Sequence, residues 1–306
     1  MKLSSVLDGY WLEKELSFSP HTIAAYSRVY HRFVAFVGDV DIERVTANDI
    51  RRFLAHLRTE YNLSRRSVHD AWIPLSSLWT WAENELGTPH IIRGKVRAPE
   101  FTKTTIEPFT KREISALVNG TDQNKPWRLP TGARVRSRRP TALRDRAIVL
   151  TLLDTGLRVS ELCQLALGDY DVSRGRLHIR HGKGDKARFV VMGNRTRMAI
   201  WRYLAQRGTP HAHEPLFATR STLPMRRDNV GNMLKLLAER AGVANVYPHR
   251  FRHTFAVTFL RNGGSPLLLQ ELLGHTDLAT VRTYVRLAEQ DIAAGVKHSP
   301  VDTWRL

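Results

Sequence analysis

The sequence predicts a mainly α-helical protein with a small β-hairpin, an α+β chain in two domains. Three observations carry this reading. Apolar residues recur at helical spacing through most of the 306 residues, bounded by capping residues and glycine stops. The period changes to two near residue 180. An aperiodic segment, 88–108, separates two groups of helical patterns. The resulting division is a helical domain over 1–92, a linker over 93–108 and a mixed α/β domain over 109–306.

In the first domain, Ser19-Pro20 supplies an N-cap and an N1 proline. Ile23, Tyr26, Tyr30, Phe33, Val34 and Val37 then recur at helical spacing until Gly38. A second helix starts at Thr46, with Asp49 three residues on as in a capping box, and carries Ile50, Phe53, Leu54 and Leu57 on one face. Ser64 caps a third, through Val68, Trp72, Leu75, Leu78 and Trp79 towards Gly87, and Pro74 within it predicts a kink. The aperiodic segment 88–108 holds Pro89, Pro99 and Pro108 with Arg93, Lys95, Arg97 and Lys103, a composition suited to following a DNA backbone.

Thr110 and Glu113 form a capping box that opens the second domain. KPWRLPTGARVRSRRP, 125–140, reads as a solvated, disordered loop or as a phosphate-contacting insertion. TALRDRAIVLTLLDTG and VSELCQLAL are helical. GRLHIRHGKGDKARFVVMG alternates, turns at Gly-Lys-Gly-Asp and runs apolar again from Phe189 to Met192, which predicts a hairpin with Lys183 near its tip. Helices return from Thr196, including 228–241 and 248–260.

Composition bounds the function. The chain is 42% hydrophobic, and 47 Lys plus Arg against 29 Asp plus Glu give a net charge of +18. Such a field favours a polyanion, because each cation that neutralises a phosphate releases a condensed counterion. No apolar run reaches membrane-spanning length and the N-terminus lacks a signal-peptide core, so the expected location is cytoplasmic with no membrane partner. The single cysteine, Cys163, excludes an intrachain disulfide and reads as a buried thiol.

The segment PHRFRHTFAVTFL, 248–260, is a core helix that begins with positive charge. Phe251, Phe255 and Phe259 form its apolar stripe, while His249 stands at the N-terminus, where unpaired N–H groups already favour an anion. Arg252 beside it points to a docked phosphate. His253 and Arg250 read as packing or backbone-contact residues; with no HExxH motif or paired cysteines, no metal site is expected. DTGLRVSEL places Arg158 at a helix start, with Glu161 one turn on to orient or neutralise it, and leaves Asp154 to helix-end capping or solvation. SPLLLQELLGHTDLATVRTY has a Ser-Pro start, a stop at Gly274, His275 directly after it and Tyr284 on a fresh helix.

TGLRVSEL, GKGDKAR, PHRFRHTFA, LLGH and the following Tyr284, in that order and at these spacings, resemble the tyrosine recombinase (phage integrase) family, most of all its Xer-like site-specific recombinases. The resemblance covers nearly the whole chain. It implies a SAM-like core-binding domain and a catalytic domain that form a C-shaped clamp on DNA. It also implies the catalytic set Arg158, Lys183, His249, Arg252, His275 and the nucleophile Tyr284, supported by Glu161, with no cofactor and no metal.

In that reading the arginines fork onto the non-bridging oxygens of the scissile phosphate and His275 adds a hydrogen bond. His249 accepts the tyrosine proton, and Lys183, with Lys186 as the alternative, protonates the leaving 5′ oxygen. The product is a 3′-phosphotyrosyl enzyme. The resemblance further implies a homotetramer on double-stranded DNA with inverted half-sites, exchanging strands through a Holliday junction. The tail after Tyr284 packs either on its own protomer or on a neighbour. The helical domain starts near the first residue, which leaves no room for the arm-site domain of lambda-like integrases. The basic stretch 125–140 is longer than Xer-like proteins lead one to expect. Alternatives are a type IB topoisomerase-like relaxing enzyme and a non-catalytic DNA-binding protein of the same fold.

Overall fold

The computed structural model describes residues 1–102, 106–122, 127–128, 134–135, 139–180, 187–208, 211–274 and 278–288. It divides into two compact units, 1–104 and 105–306.

Four helices build the first unit: α1 (Leu3–Lys14), α2 (Pro20–Val37), α3 (Ala47–Thr59) and α4 (Arg65–Leu86). The caps act as their residue types dictate. The Ser19 hydroxyl accepts from the Thr22 N–H at 3.2 Å, Thr46 and Asp49 form a reciprocal capping box, and Ser64 accepts from the Ser67 N–H at 3.1 Å. Helix α4 runs on through Pro74, whose carbonyl accepts the Tyr30 hydroxyl at 2.9 Å. The core is aromatic: Tyr30, Phe33, Phe53 and Trp79 are buried, with Phe33 edge-on to Phe53 at 5.1 Å and to Trp79 at 5.9 Å.

Helix α1 has no signal of the kind that marks the others. Lys2 at its N-cap makes no side-chain cap, and Leu12 is exposed while Leu3, Val6 and Tyr10 are buried, so its apolar residues do not all share one face. Its start is held by tertiary bonds instead, from the Leu3 N–H to the Val40 carbonyl and from Ser4 to the Asp39 carboxylate. The segment after α4 also folds onto this unit. Ile92 and Val96 enter its core on a single turn too short to show a period, and the Trp72 indole donates to the Val96 carbonyl at 3.3 Å.

The second unit holds α5 (Lys111–Gly120), α6 (Ala142–Thr155), α7 (Val159–Gln164), α8 (Asn194–Arg207), α9 (Arg227–Ala241), α10 (Pro248–Arg261), α11 (Pro266–Leu273) and α12 (Leu278–Ala288). Two short strands, β1 (Trp127–Arg128) and β2 (Arg134–Val135), pair antiparallel within the basic stretch read above as a loop. Strands β3 (Tyr170–Asp171), β4 (Arg176–Ile179) and β5 (Arg188–Val191) form an antiparallel sheet, one strand more than the expected hairpin. Leu177, Ile179 and Val190 face the core, while Phe189 and Val191 are exposed, so β5 alternates where an apolar run was expected. The helix expected through VSELCQLAL stops at Gln164 because the chain turns extended at Leu165 and Ala166: the Leu216 N–H donates to the Leu165 carbonyl, Ala166 bridges Pro215, and the Leu167 N–H donates to the Glu214 carbonyl before a 3-10 turn over Leu167–Asp169.

The base of the basic stretch is pinned by charge. Asp145 on α6 is fully buried and receives Arg139 at 2.8 Å, Arg144 at 2.8 Å and the Thr141 hydroxyl at 2.9 Å, and the Arg139 N–H reaches back to the Asp122 carbonyl. Asp145→Ala leaves two guanidiniums around an empty site and is expected to cost about 3–5 kcal/mol. The urea midpoint, at unchanged slope, measures it.

Candidate active site

Helix α10 enters from Tyr247 with Pro248, which has no N–H, at N1 and no side-chain cap; the Arg250 N–H donates to the Tyr247 carbonyl at 3.0 Å, so what this end offers an anion is chiefly the positive end of the helix dipole. His249 lies exposed on that turn, while Arg252, one turn deeper, is 2% exposed. Phe251 beneath them is fully buried.

Two other helices end against Arg252. Both α6 and α11 stop at a left-handed glycine, Gly156 and Gly274, each with φ of 61°. Arg252 donates from Nη1 to the Gly156 carbonyl and from Nη2 to the Leu273 carbonyl, both at 2.7 Å. Carbonyls at a helix C-terminus lack helical partners and carry the negative end of the dipole. These bonds therefore orient the guanidinium without cancelling its charge. Burial, then the neighbouring Arg158, push its pKa down to about 10, which still leaves it protonated at neutral pH.

Arg158 is the N-cap of α7, and Glu161 is its N3 residue. The Arg158 N–H donates to Glu161 Oε2 at 2.8 Å and its Nη1 to Oε1 at 2.9 Å. Glu161 is buried, yet it also receives both terminal nitrogens of Arg188, at 3.1 and 2.8 Å. Burial alone would raise its carboxyl pKa; the bonds and charges of Arg188 and Arg158 overcome that and hold it below the ordinary glutamate value. Arg188 completes its fork by donating from Nε to the Leu272 carbonyl at 2.8 Å.

Tyr284 on α12 is 5% exposed and packs with Ala256, Val257, Leu269 and Leu273. Burial raises its phenol pKa, while the charges of Arg252 and Arg158 pull it back. Although His249 is exposed by area, its ring is desolvated enough to be held below the ordinary imidazole value, and Arg252 and Arg158 push it the same way. It is neutral at neutral pH, the state that accepts a proton.

The structure thus brings Arg158, Glu161, His249, Arg252 and Tyr284 into one electrostatic neighbourhood. Lys183, its alternative Lys186, and His275 lie outside the described residues, as does the tail from residue 289. Arg250 is structural: it stacks on Phe109 at 3.9 Å and donates to the Glu107 and Ala244 carbonyls and to Glu113. His253 is buried 5.3 Å from the Tyr284 ring, and burial pushes its pKa down to about 4. Asp154 accepts the Gly193 N–H at 2.7 Å, where α8 begins. The Cys163 thiol is partly buried, and desolvation pushes its pKa up to about 11. Arg188 was missed. Its signal is the strand phase: it sits in step with Val190 and Met192, on the face that enters the core. Among the described residues no group of His, Cys, Asp and Glu is arranged to hold a metal, and no helix is long and apolar enough to cross a membrane.

The phage integrase family model matches residues 110–291, and the model of the phage integrase N-terminal SAM-like domain matches residues 15–87. Over 291 residues the chain is 34% identical to tyrosine recombinase XerC of Pelobacter propionicus, covering 90% of this chain and 88% of that one. It is 32% identical over 283 residues to tyrosine recombinase XerA of Thermococcus kodakarensis, covering 90% and 87%. A lambda integrase dimer bound to a COC′ core site shares the fold, with a TM-score of 0.71 at 18% identity over 92% of this chain and 97% of that one.

The turn that presents its carbonyl to Arg252 tolerates no side chain. A Cβ on Gly156 would stand 2.4 Å from Phe255 Cδ1 and 2.9 Å from Leu273 Cδ2, at a φ that disfavours L-residues. Gly156→Ala is expected to lose about 2–4 kcal/mol. Gly242→Ala, at φ of 64° with open space around it, isolates the backbone share and should lose about 1 kcal/mol. Thermal unfolding of the two variants checks both.

Proposed function

Because the chain belongs to the phage integrase family, whose tyrosine recombinases cleave and rejoin DNA, we infer that Tyr284 is its nucleophile and that Arg158 and Arg252 hold the scissile phosphate. The protein is a site-specific DNA recombinase. One arrangement carries the assignment of residues: Arg252 bonds the Leu273 carbonyl at 2.7 Å and the buried Tyr284 packs with Leu273, so a single tyrosine lies in the field of the guanidiniums.

A phosphodiester repels a nucleophile, and its leaving alkoxide is strongly basic. Arg158 and Arg252 neutralise the non-bridging oxygens, most of all as charge builds up in the pentavalent transition state. Neutral His249 accepts the phenol proton as the Tyr284 oxygen bonds to phosphorus. The P–O5′ bond breaks, the 5′ oxygen takes a proton from Lys183, and the 3′ end remains esterified to Tyr284. His275 donates a hydrogen bond to the same phosphate. Attack by a 5′-hydroxyl of another strand reverses the step, and the phosphotyrosyl ester supplies its energy, so no ATP is consumed.

Two active sites cutting equivalent strands on each of two duplexes require four protomers on inverted half-sites, with strands exchanged in pairs through a Holliday junction. A groove of about 1700 Å³ in the second unit, lined by Ile114, Leu150, Met198, Trp201, Phe255 and Phe259, supports assembly by offering a seat for a neighbouring protomer's C-terminal tail. The relatives named above lend no support to a topoisomerase-like relaxing enzyme.

Nicked suicide duplexes drawn from the protein's genomic neighbourhood test the chemistry. The wild type is expected to form an SDS-resistant adduct without ATP or added metal, Tyr284→Phe none, and Arg158→Ala or Arg252→Ala one that forms about 10²–10³ times more slowly. Persistence of the adduct in Tyr284→Phe sinks the assignment. The pH profile tests His249. Its lowered pKa keeps it a proton acceptor until the pH falls below the ordinary imidazole value, so kcat/KM for cleavage should hold steady down to about pH 6.5 and fall only below that. An acid limb centred above about 6.5 removes His249 from the role.

A further inference from the structure

Arg188 takes no part in the scheme above, yet every one of its nitrogens is engaged inside the site. We infer that Arg188 is a positioning residue that keeps Arg158 aimed and available for the phosphate; the inference rests on Arg158 being a phosphate ligand.

The geometry carries it. Each oxygen of Glu161 is shared: Oε1 receives Arg158 Nη1 at 2.9 Å and Arg188 Nη1 at 3.1 Å, and Oε2 receives the Arg158 N–H at 2.8 Å and Arg188 Nη2 at 2.8 Å. Arg158 and Glu161 alone would be a closed, neutral ion pair, with the carboxylate competing against any docking phosphate. Adding Arg188 occupies both oxygens of that carboxylate end-on through Nη1 and Nη2 and leaves the trio with one net positive charge. The exposures agree with this division: the side chain of Arg188 is 10% exposed and that of Glu161 3%, whereas that of Arg158 is 26% exposed and open to a ligand.

Arg188 also joins three segments. It lies on β5, five positions after Lys183 in the sequence. It grips α7 at the N3 carboxylate, three residues after Arg158. Its Nε bonds the Leu272 carbonyl at 2.8 Å, three residues before His275, and Gly274 lies so close that a Cβ there would be 3.2 Å from Nη1. A lysine delivers one point charge and cannot span these three acceptors.

The test uses the duplex on which the wild type forms its Tyr284 adduct, with either the natural phosphate or a neutral methylphosphonate at the scissile position. Arg188→Lys is expected to melt cooperatively, bind the duplex within about threefold of wild type, and form the adduct about 10–100 times more slowly at the natural phosphate. At the methylphosphonate, which lacks the charge Arg158 neutralises, the defect should shrink to under about threefold. In Glu161→Gln the further change Arg188→Lys should add little, because the two residues act as a unit.

A wild-type rate in Arg188→Lys overturns the inference, as does an equal defect on both substrates. Loss of cooperative melting in both Arg188→Lys and Glu161→Gln does so too, because the pair would then serve stability alone. Arg158→Ala separates the levels: if it cleaves at the wild-type rate, the reading of Arg158 itself fails, whereas a slow Arg158→Ala beside a fast Arg188→Lys removes only the role of Arg188.

Discussion

Guanidiniums crowd together inside a protein only when something negative is shared among them, and here that something is Glu161. Two like charges about 5 Å apart at an effective dielectric of about 20 repel by about 3 kcal/mol. A phosphate would relieve this, but the site must also stand before DNA arrives. One carboxylate divided between Arg158 and Arg188 makes the resting state tolerable while leaving the cluster short of negative charge. The position of Glu161 follows from local rules: N3 of a helix whose N-cap is Arg158, where a carboxylate is favoured by the N-terminal dipole and reaches the N-cap N–H.

Arg252 is handled differently. Its two bonds to the ends of α6 and α11 use carbonyl groups that helix geometry leaves without partners, so a requirement of those helices and a requirement of the arginine are met together. The left-handed glycines are what turn the chain away so that the last carbonyls remain accessible. Backbone dipoles at the ends of two helices stabilise this buried cation. Around Tyr284 the same balance appears in reverse, since burial opposes ionisation of the phenol and the arginines favour it.

Much of this was legible in the sequence where a short-range rule applied. Ser19-Pro20, Thr46 with Asp49, Thr110 with Glu113 and the stops at Gly38, Gly156 and Gly274 marked helix ends because capping is a matter of neighbours within one turn. Arg158, His249, Arg252 and Tyr284 stood out because each sat near a helix start or in a motif linked to the others. What was not legible depended on contacts between distant residues. Helix α1 is held by the turn after α2, Leu165 turns extended to meet Leu216, and the start of the second unit is fixed by Arg250. Arg188 was hidden among many basic residues, and its partner Glu161 lies 27 positions away. Only the alternation of β5 hinted that this arginine points inward.

The shared carboxylate also shapes how this protein can change over generations. Replacing Arg188 alone leaves Glu161 to close upon Arg158, and replacing Glu161 alone leaves two cations facing each other with no carboxylate between them. Either single step passes through a lineage with an impaired site, so the route to a different arrangement needs two coordinated replacements. Exposed positions on the same strand, such as Phe189 and Val191, carry no such tie. Drift along β5 should therefore be uneven, with outward residues free to diversify while the inward arginine is inherited together with a glutamate from another element.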